Sequence, residues 1–425
     1  MEMRRTTTVV LYPGIGVDHL SPMLELSRGI LRHGIDVAVV LVESPFGDSG
    51  FAAAVARARS THCLLPRPPH SPAAGLRPHL RRRRGRHPMV GLLRYLRATN
   101  APLRDLLSSL SRPAHALALV LDMFYAHALD VASELAIPAY FLSATGAAAL
   151  VVFLAVPGLR ARVDAAFRDL CDNVVLPFAG MPPLKVSQLP PGLADDGALF
   201  QASLRLAARV PEARGILVNS FLALEPHTVQ ALRDRLCVHD RPAPPVYCVG
   251  PFVSPSAAAA AREDDALECL RWMDAQPDRS VVFLCFGSMG AFPRHQLTEI
   301  TAGLESSGHR FLWVVRSPRS GDGGGASPVM NPADDPLDEL LPAGLNKAFI
   351  VEEMRLGVEM AKDGDGFVSA EEVEEKLRWV MGESGGAREL RERAAAARDK
   401  AAEAVADGGP SQATFVEFVK DLEAS

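Results

Sequence analysis

A strand–helix–strand unit opens the sequence and constrains the class of fold. The segment TTVVLYPG is a short β-rich apolar run ended by Pro-Gly, as expected of a buried parallel strand. SPMLELSRGILRHG then has a Ser-Pro start, apolar residues at helical spacing and Gly34 at its end, and IDVAVVLVE is a second strand. Because a helix that joins two strands in this way makes a crossover, the unit predicts a parallel sheet with right-handed connections.

The same alternation continues to about residue 250 and restarts beyond it. Further strands are predicted in ALALVLDMF, IPAYFLSAT, ARGILVNSF and PPVYCVG, and later in SVVFLCFGS and RFLWVVR. The stretch PFVSPSAAAAARED between these groups is low in complexity and is typical of a linker. We therefore predict an α/β protein of two doubly wound domains, at 1–250 and 264–425, joined by a linker at 251–263. A chain of 425 residues is long enough for both.

Composition excludes several classes of function. A net charge of −5 and an aromatic content of 6% give no basis for binding nucleic acid. The six cysteines form no CxxC pair, so neither a zinc site nor a disulfide framework is indicated. No stretch reaches the ~18 apolar residues of a membrane span. We expect a soluble, cytoplasmic monomer, with the arginines at 81–84 in a solvated loop rather than a nuclear signal or anion patch.

A histidine and a carboxylate lie where two predicted strands end. His19 follows Gly14 and Gly16 on the turn after the first strand, at the edge where open α/β sheets bind ligands. Asp122 ends the apolar run ALALVLD. A histidine oriented by an aspartate can act as a general base. The alternative is that each residue only caps the helix that follows it.

Segments along nearly the whole chain resemble one family. The chain resembles the plant family-1 UDP-glycosyltransferases, in the subgroup that glucosylates flavonoids and related phenols, through LYPGIGVDHLSPMLELSRGIL, LVLDMFYAHALDVASELAIPAYF, GMPPLKVSQLP, GILVNSFLALEP, PPVYCVGPF, the long segment from CLRWMDAQ to RFLWVVR, and FIVEEMRLGVEM. The resemblance implies the GT-B fold, two Rossmann-like domains with the acceptor mainly on the first and the UDP-sugar on the second. It also implies inverting transfer of a sugar, glucose in this subgroup, to a phenolic hydroxyl, with UDP-sugar as a co-substrate and neither a metal nor another cofactor.

The resemblance also assigns roles to individual residues. His19 matches the catalytic base and Asp122 its partner. The positions that match donor-binding residues are Gly287, Ser288 and Thr145, and those on the acceptor side are Gly16 and Ser143. Ala144 interrupts the usual Ser/Thr pair. From its own residues the FGS turn can present amides to an anion near a helix N-terminus, or it can be an ordinary end of a strand.

One departure from the family pattern is large. Relatives carry, after an LPAGF-like stretch, a signature that runs from Trp-Ala-Pro-Gln through His-Cys-Gly-Trp-Asn-Ser to Asp/Glu-Gln and holds the nucleotide sugar. Here LPAG ends at Gly344, and Leu345-Asn346-Lys347 leads straight into AFIVEEMRLGVEM. About two strand–helix units are missing near 344–347, so the second domain is expected to be truncated and UDP-sugar binding impaired.

One alternative remains beside an active glycosyltransferase. It is a non-catalytic remnant, or a splice or gene-model product, that binds a phenolic acceptor or a partner through its first domain. The segment AKDGDGFVSAEE resembles an EF-hand loop, but it has Ala361 at its first position and no second hand is visible, so we do not predict a calcium site. We also expect the last helix, at 411–423, to pack on the first domain, because its apolar stripe needs a surface to bury.

Overall fold

The protein is described from a computed structural model, which covers residues 6–42, 54–56, 88–111, 115–163, 165–171, 174–189, 193, 197–238, 242–253, 264–286, 292–314, 347–363 and 367–424. The chain divides into two compact units. The first comprises 1–253, 336–348 and 399–425, and the second comprises 254–335 and 349–398. Over the part of the chain that is described, no helix is long and apolar enough to cross a membrane.

Ten strands and twelve α-helices make up the described residues. The strands are β1 Thr6–Tyr12, β2 Asp36–Val39, β3 His115–Asp122, β4 Ala139–Ser143, β5 Val175–Leu176, β6 Leu184–Lys185, β7 Gly215–Val218, β8 Val246–Cys248, β9 Val281–Cys285 and β10 Arg310–Val314. The helices are α1 Val17–Arg32, α2 Pro88–Ala98, α3 Asn100–Leu110, α4 Leu129–Glu134, α5 Ala147–Ala161, α6 Ala198–Arg209, α7 Pro226–Arg233, α8 Asp264–Asp274, α9 Arg294–Ser307, α10 Ala370–Met381, α11 Gly385–Val405 and α12 Pro410–Glu423.

The first unit is built on a six-stranded parallel sheet in the order β2-β1-β3-β4-β7-β8. The chain therefore starts in the middle of the sheet, moves to one edge at β2, and returns to the other side of β1 at β3. This reversal is a topological switch point, and the crevice beyond the carboxyl ends of β1 and β3 is where such sheets bind ligands. The strands are almost wholly apolar because helices cover both faces of the sheet.

Helix α1 begins earlier than its sequence predicts. The Ser-Pro pair indicates a start near Ser21, but the helix begins at Val17 with Gly16 as its N-cap, so that Pro22 lies inside the helix. Gly16 has φ +134°, a conformation that L side chains rarely adopt, and it is this glycine that turns the chain from strand to helix. The consequence is that His19 lies in the first turn of α1 and not on the preceding loop.

The C-terminal helix α12 completes the core of the first unit. Phe415, Phe418, Val419 and Leu422 are buried in one cluster with residues of β1, β3, β4 and β8. The ring of Phe415 packs where a side chain on Gly29 would stand, only 2.7 Å from a Cβ built there. Asp421 adds polar contacts to the sheet, since it accepts hydrogen bonds from the Tyr140 hydroxyl at 2.6 Å and from Arg214 Nη2 at 2.7 Å. The first unit thus takes its final layer from the end of the chain.

The second unit has a smaller core in its described residues. Strands β9 and β10 pair in parallel, and Leu284 and Trp313 pack towards a core of Ile300, Leu304 and Val373 between α9 and α10. The register places Phe283 and Val314 on the opposite face of these strands, where their side chains are 61% and 49% exposed. Phe283 and Val314 define what we call the exposed face of β9 and β10. An apolar parallel strand normally has both faces covered.

Removal of a buried side chain of α12, or of the whole helix, tests the packing of this helix in the core. We expect Phe418→Ala to lower the free energy of unfolding of the first unit by ~3–5 kcal/mol, because a fully buried aromatic side chain is removed. Deletion of residues 411–425 should lower it further. Urea denaturation followed by circular dichroism measures both. Glu417→Ala, on the exposed side of the same helix, is the matched control and should change little. Equal stability of the Phe418 and Glu417 variants would contradict this packing.

Candidate active site

The ends of β1 and β3 bring His19 and Asp122 together. His19 Nδ1 lies 2.6 Å from Asp122 Oδ2, although 103 positions of sequence separate the two residues. The pair is enclosed by protein, with 8% of His19 and 2% of Asp122 exposed. The contact follows from the sheet order, because β1 and β3 are neighbours and pair in register up to Tyr12 and Leu121.

Asp122 uses its two oxygens for different purposes. Oδ1 accepts a hydrogen bond from the Phe124 amide at 3.0 Å and caps the short 3-10 helix Met123–Ala128. Oδ2 contacts the imidazole. The cap and the His–Asp pair, which the sequence offers as alternatives for Asp122, therefore occur together. The backbone bond fixes the direction of the carboxylate, and the carboxylate in turn orients the ring of His19.

The pair sets the proton chemistry of the imidazole. A carboxylate can only accept, so Nδ1 carries the proton and Nε2 of the neutral ring has the free lone pair. Burial has the largest effect on the pKa of His19 and would lower it, but the charge of Asp122 and its hydrogen bond outweigh burial and raise the pKa above 6.5. A smaller effect in the same direction comes from Asp18. The site thus favours uptake of a proton at Nε2.

Gly14 makes room for the carboxylate of the pair. A Cβ on Gly14 would lie 2.8 Å from Asp122 Oδ1 and 2.9 Å from its Cγ, so a side chain at this position would displace the carboxylate. A Cβ on Gly16 would lie 3.5 Å from His19 Cδ2. The ring of Phe124 packs beside the imidazole, with 5.1 Å between the ring centroids. Backbone, carboxylate and aromatic ring therefore confine His19 to one orientation.

Ser143 and Thr145 lie at the end of β4, the next strand. The register pairs Asp122 with Leu142, so Ser143 follows at the same edge of the sheet. Ser143 is buried, and its hydroxyl is 3.0 Å from that of Thr145. The two hydroxyls thus contact each other across Ala144. The hydroxyl pair and the His–Asp pair lie at the same edge of the sheet because β3 and β4 are neighbouring strands. Among the described residues, no hydrogen bond joins one pair to the other.

Some candidate positions fall outside the described residues. Gly287 and Ser288 do so, as do 254–263 of the predicted linker and 344–346 at the predicted junction. Part of the EF-hand-like loop, including Asp365 and Gly366, is also outside them.

Two carboxylates of the EF-hand-like loop lie among the described residues, and both accept hydrogen bonds from backbone amides. Asp363 accepts from the Phe367 amide at 2.8 Å, and Glu372 from the Ala361 amide at 2.7 Å. Where the chain is described, no group of three His, Cys, Asp or Glu residues could hold a metal ion.

Sequence reasoning missed two residues near the Ser143 loop. Glu225 accepts hydrogen bonds from the amides of Ala147 and Ala148, and Asn219 donates to the carbonyl of Ala144. Both belong to the segment ILVNSFLALEP, which from sequence alone is predicted only to contain a strand and to resemble the family. The available signal was Asn219, a polar residue that directly follows the buried strand β7, whereas no comparable signal marks Glu225.

The fold is that of a two-domain α/β protein, with the His–Asp pair at the switch point of its first sheet. The solved UGT2 of Phytolacca americana, complexed with UDP-2fluoro-glucose and pterostilbene, matches 98% of this chain and 100% of its own, with a TM-score of 0.79 and 23% identity. The fold is GT-B, as the resemblance predicts.

Curated relatives show the family. UDP-glycosyltransferase 88B1 of Stevia rebaudiana is 30% identical, with 98% of each chain covered. Phloretin 2'-O-glucosyltransferase of Pyrus communis is 32% identical, with 97% of this chain and 99% of the relative covered. No family model matches the sequence. At this identity and coverage, the chain belongs to the plant UDP-glycosyltransferases.

Titration of His19 tests the electrostatics of the pair. We expect Asp122→Asn to lower the pKa of His19, because burial then acts without the compensating charge. Since the pKa is raised in the folded state, the pair stabilises the fold below pH 6.5, and this contribution is lost as pH rises through the folded-state pKa. NMR titration of the imidazole measures the shift. Asp18→Asn is the control and should lower the pKa less. A pKa unchanged by Asp122→Asn would refute the coupling.

Gly14→Ala tests the space beside the carboxylate. The added methyl group should displace Asp122 and cost about 1–3 kcal/mol of stability, with a lower pKa of His19. Gly158→Ala is the matched control, since nothing lies within 4 Å of its Cβ and the residue is inside α5. That control should be neutral or stabilising by about 0.5–1 kcal/mol. Thermal melts and the same NMR titration distinguish the two, and a Gly14 variant that behaves like the control would be the contrary result.

Proposed function

We propose that this protein binds a phenolic acceptor at the carboxyl edge of β1, β3 and β4, and that His19 is the general base for transfer of a sugar to its hydroxyl. The observation that carries the proposal is the buried 2.6 Å contact between His19 Nδ1 and Asp122 Oδ2. Support for the substrate class comes from the relatives: one is a phloretin 2'-O-glucosyltransferase, and pterostilbene occupies one of the similar structures. Both molecules are phenols.

The proposed reaction moves one proton and one glycosyl group. The phenol hydroxyl gives its proton to Nε2 of His19 while its oxygen forms a bond to the anomeric carbon of the UDP-sugar. The bond between that carbon and the UDP oxygen breaks, and UDP leaves with the electron pair. Attack opposite to the leaving group inverts the anomeric configuration. The carboxylate of Asp122 stabilises the imidazolium that forms.

We further propose that a segment that would hold the UDP-sugar is missing from the chain near 344–347, and that the chain therefore binds the UDP-sugar weakly. Alignments with the two relatives span 477 and 511 positions, so at least 52 and 86 of these have no residue from the 425-residue chain. The alignment lengths support a chain shorter than its relatives. The exposed face of β9 and β10 supports a loss of elements that would cover these strands.

The energetics of donor binding point the same way. Gly287 and Ser288 could still offer hydrogen bonds to phosphate, each contributing a net ~0.5–1.5 kcal/mol. Micromolar binding requires about 8 kcal/mol. A few hydrogen bonds at one turn do not reach that value without groups for the base, the ribose and the sugar. On this basis we expect sugar transfer by this chain to be slow, and a remnant that binds a phenol without catalysis is the second candidate function.

Calorimetric titration with UDP-glucose tests donor binding, alongside product detection with phloretin. We expect no binding at micromolar concentration and turnover at or near background. Micromolar affinity, or turnover abolished by His19→Ala, would overturn the weak-donor proposal and show that another part of the chain holds the nucleotide. A separate fluorescence titration with phloretin tests acceptor binding. Failure of the wild-type protein to bind phloretin and pterostilbene would refute the proposed acceptor site.

A further inference from the structure

A buried carboxylate holds the start of helix α5. Glu225, only 4% exposed, accepts from the Ala147 amide at 2.9 Å through Oε2 and from the Ala148 amide at 2.9 Å through Oε1. The hydroxyl of Ser220 also donates to Oε2. These amides are in the first turn of α5, which has no side-chain cap of its own because Gly146 is its N-cap. A carboxylate from 78 positions away thus does the work of the cap.

The preceding loop is held by an amide side chain. Asn219 Nδ2 donates to the Ala144 carbonyl at 3.2 Å, and Asn219 Oδ1 accepts from the Phe252 amide at 2.8 Å. The backbone of Asn219 also donates to the Ser143 carbonyl at 3.0 Å. One residue therefore connects the loop after β4 with the segment after β8. The loop is fixed at both ends, by Asn219 near Ser143 and by Glu225 at Ala147.

Close packing restricts the side chains of Glu225 and Asn219 to one conformation each. A Cβ on Gly146 would be 2.9 Å from Glu225 Oε2, and a Cβ on Gly250 would be 2.7 Å from Asn219 Oδ1. Between the two fixed points lie the paired hydroxyls of Ser143 and Thr145. Because Glu225 is buried and bonded to backbone amides, its effect on a ligand has to pass through this loop.

We propose that Glu225 and Asn219 are positioning residues that hold the hydroxyls of Ser143 and Thr145 towards a hydroxylated substrate bound beside His19. The inference rests on the proposed function and extends it to residues that the resemblance leaves without a role. The charge of Glu225 also neutralises the partial positive end of α5. The loop therefore offers hydroxyl groups to a neutral, hydroxyl-bearing ligand and gives no helix N-terminus to a phosphate.

The test compares Glu225→Gln with Asp421→Asn. Both variants replace a hydrogen-bonded carboxylate with an amide, but Asp421 contacts Tyr140 at the other end of β4. We expect Glu225→Gln to speed hydrogen exchange of the Ala147 and Ala148 amides about tenfold and to weaken phloretin binding by a similar factor, as loss of a charged hydrogen bond predicts. Asp421→Asn should lower the melting temperature without either effect.

The outcomes separate the two proposals. A lower melting temperature for Glu225→Gln, with exchange and phloretin affinity like those of Asp421→Asn, would show a merely structural residue and overturn the inference. Faster hydrogen exchange with unchanged phloretin affinity would also overturn the inference, because the position of the loop would then have no effect on ligand binding. If wild-type protein binds neither phloretin nor pterostilbene while exchange still responds, the proposed function fails and the clamp on the loop stands. Asn219→Asp should match Glu225→Gln in direction.

Discussion

The hydrogen bond between His19 and Asp122 depends on the order of strands in the first unit. Two residues separated by 103 positions meet because β3 returns to the side of β1 opposite β2. A sheet wound in one direction only would have left β1 at an edge and placed the aspartate elsewhere. The same reversal is the position at which open α/β sheets generally bind ligands. Topology, burial and proton chemistry at this site are therefore consequences of one feature of the sheet.

The two units differ in how they bury similar strands. In the first unit β4 is buried at every residue, whereas β9 and β10 are as apolar in sequence and leave Phe283 and Val314 open to solvent. Apolar area left exposed forgoes ~25 cal/mol per Å² of stabilisation. Among the described residues, β9 and β10 thus have a sequence suited to a sheet covered on both faces, while one face of these strands is exposed.

Sequence patterns predicted the six strands of the first sheet, β9 and β10, the helices α1 and α12, and the neighbouring positions of His19 and Asp122, because apolar periodicity and the βαβ rule are local or nearly so. They did not predict the two-residue strands β5 and β6. They placed the start of α1 four residues late, since that start depends on the backbone of Gly16 and not on the Ser-Pro pair. Glu225 was missed for a different reason. Its partners, Ala147 and Ala148, are apolar residues whose only relevant groups are backbone amides, so no side-chain pattern marks the pairing.

The place of α12 bears on where the chain could lose residues and still fold. Phe418 and Leu422 fill the core between helix and sheet, and Asp421 binds Tyr140 on β4 and Arg214, the residue before β7. A loss at the C-terminus would remove this layer and uncover the sheet that carries His19 and Asp122. A loss elsewhere in the sequence would leave α12 in place. The shortening that the family resemblance predicts near Gly344 and Lys347 is internal to the sequence, so it is compatible with a first unit that keeps α12, His19 and Asp122.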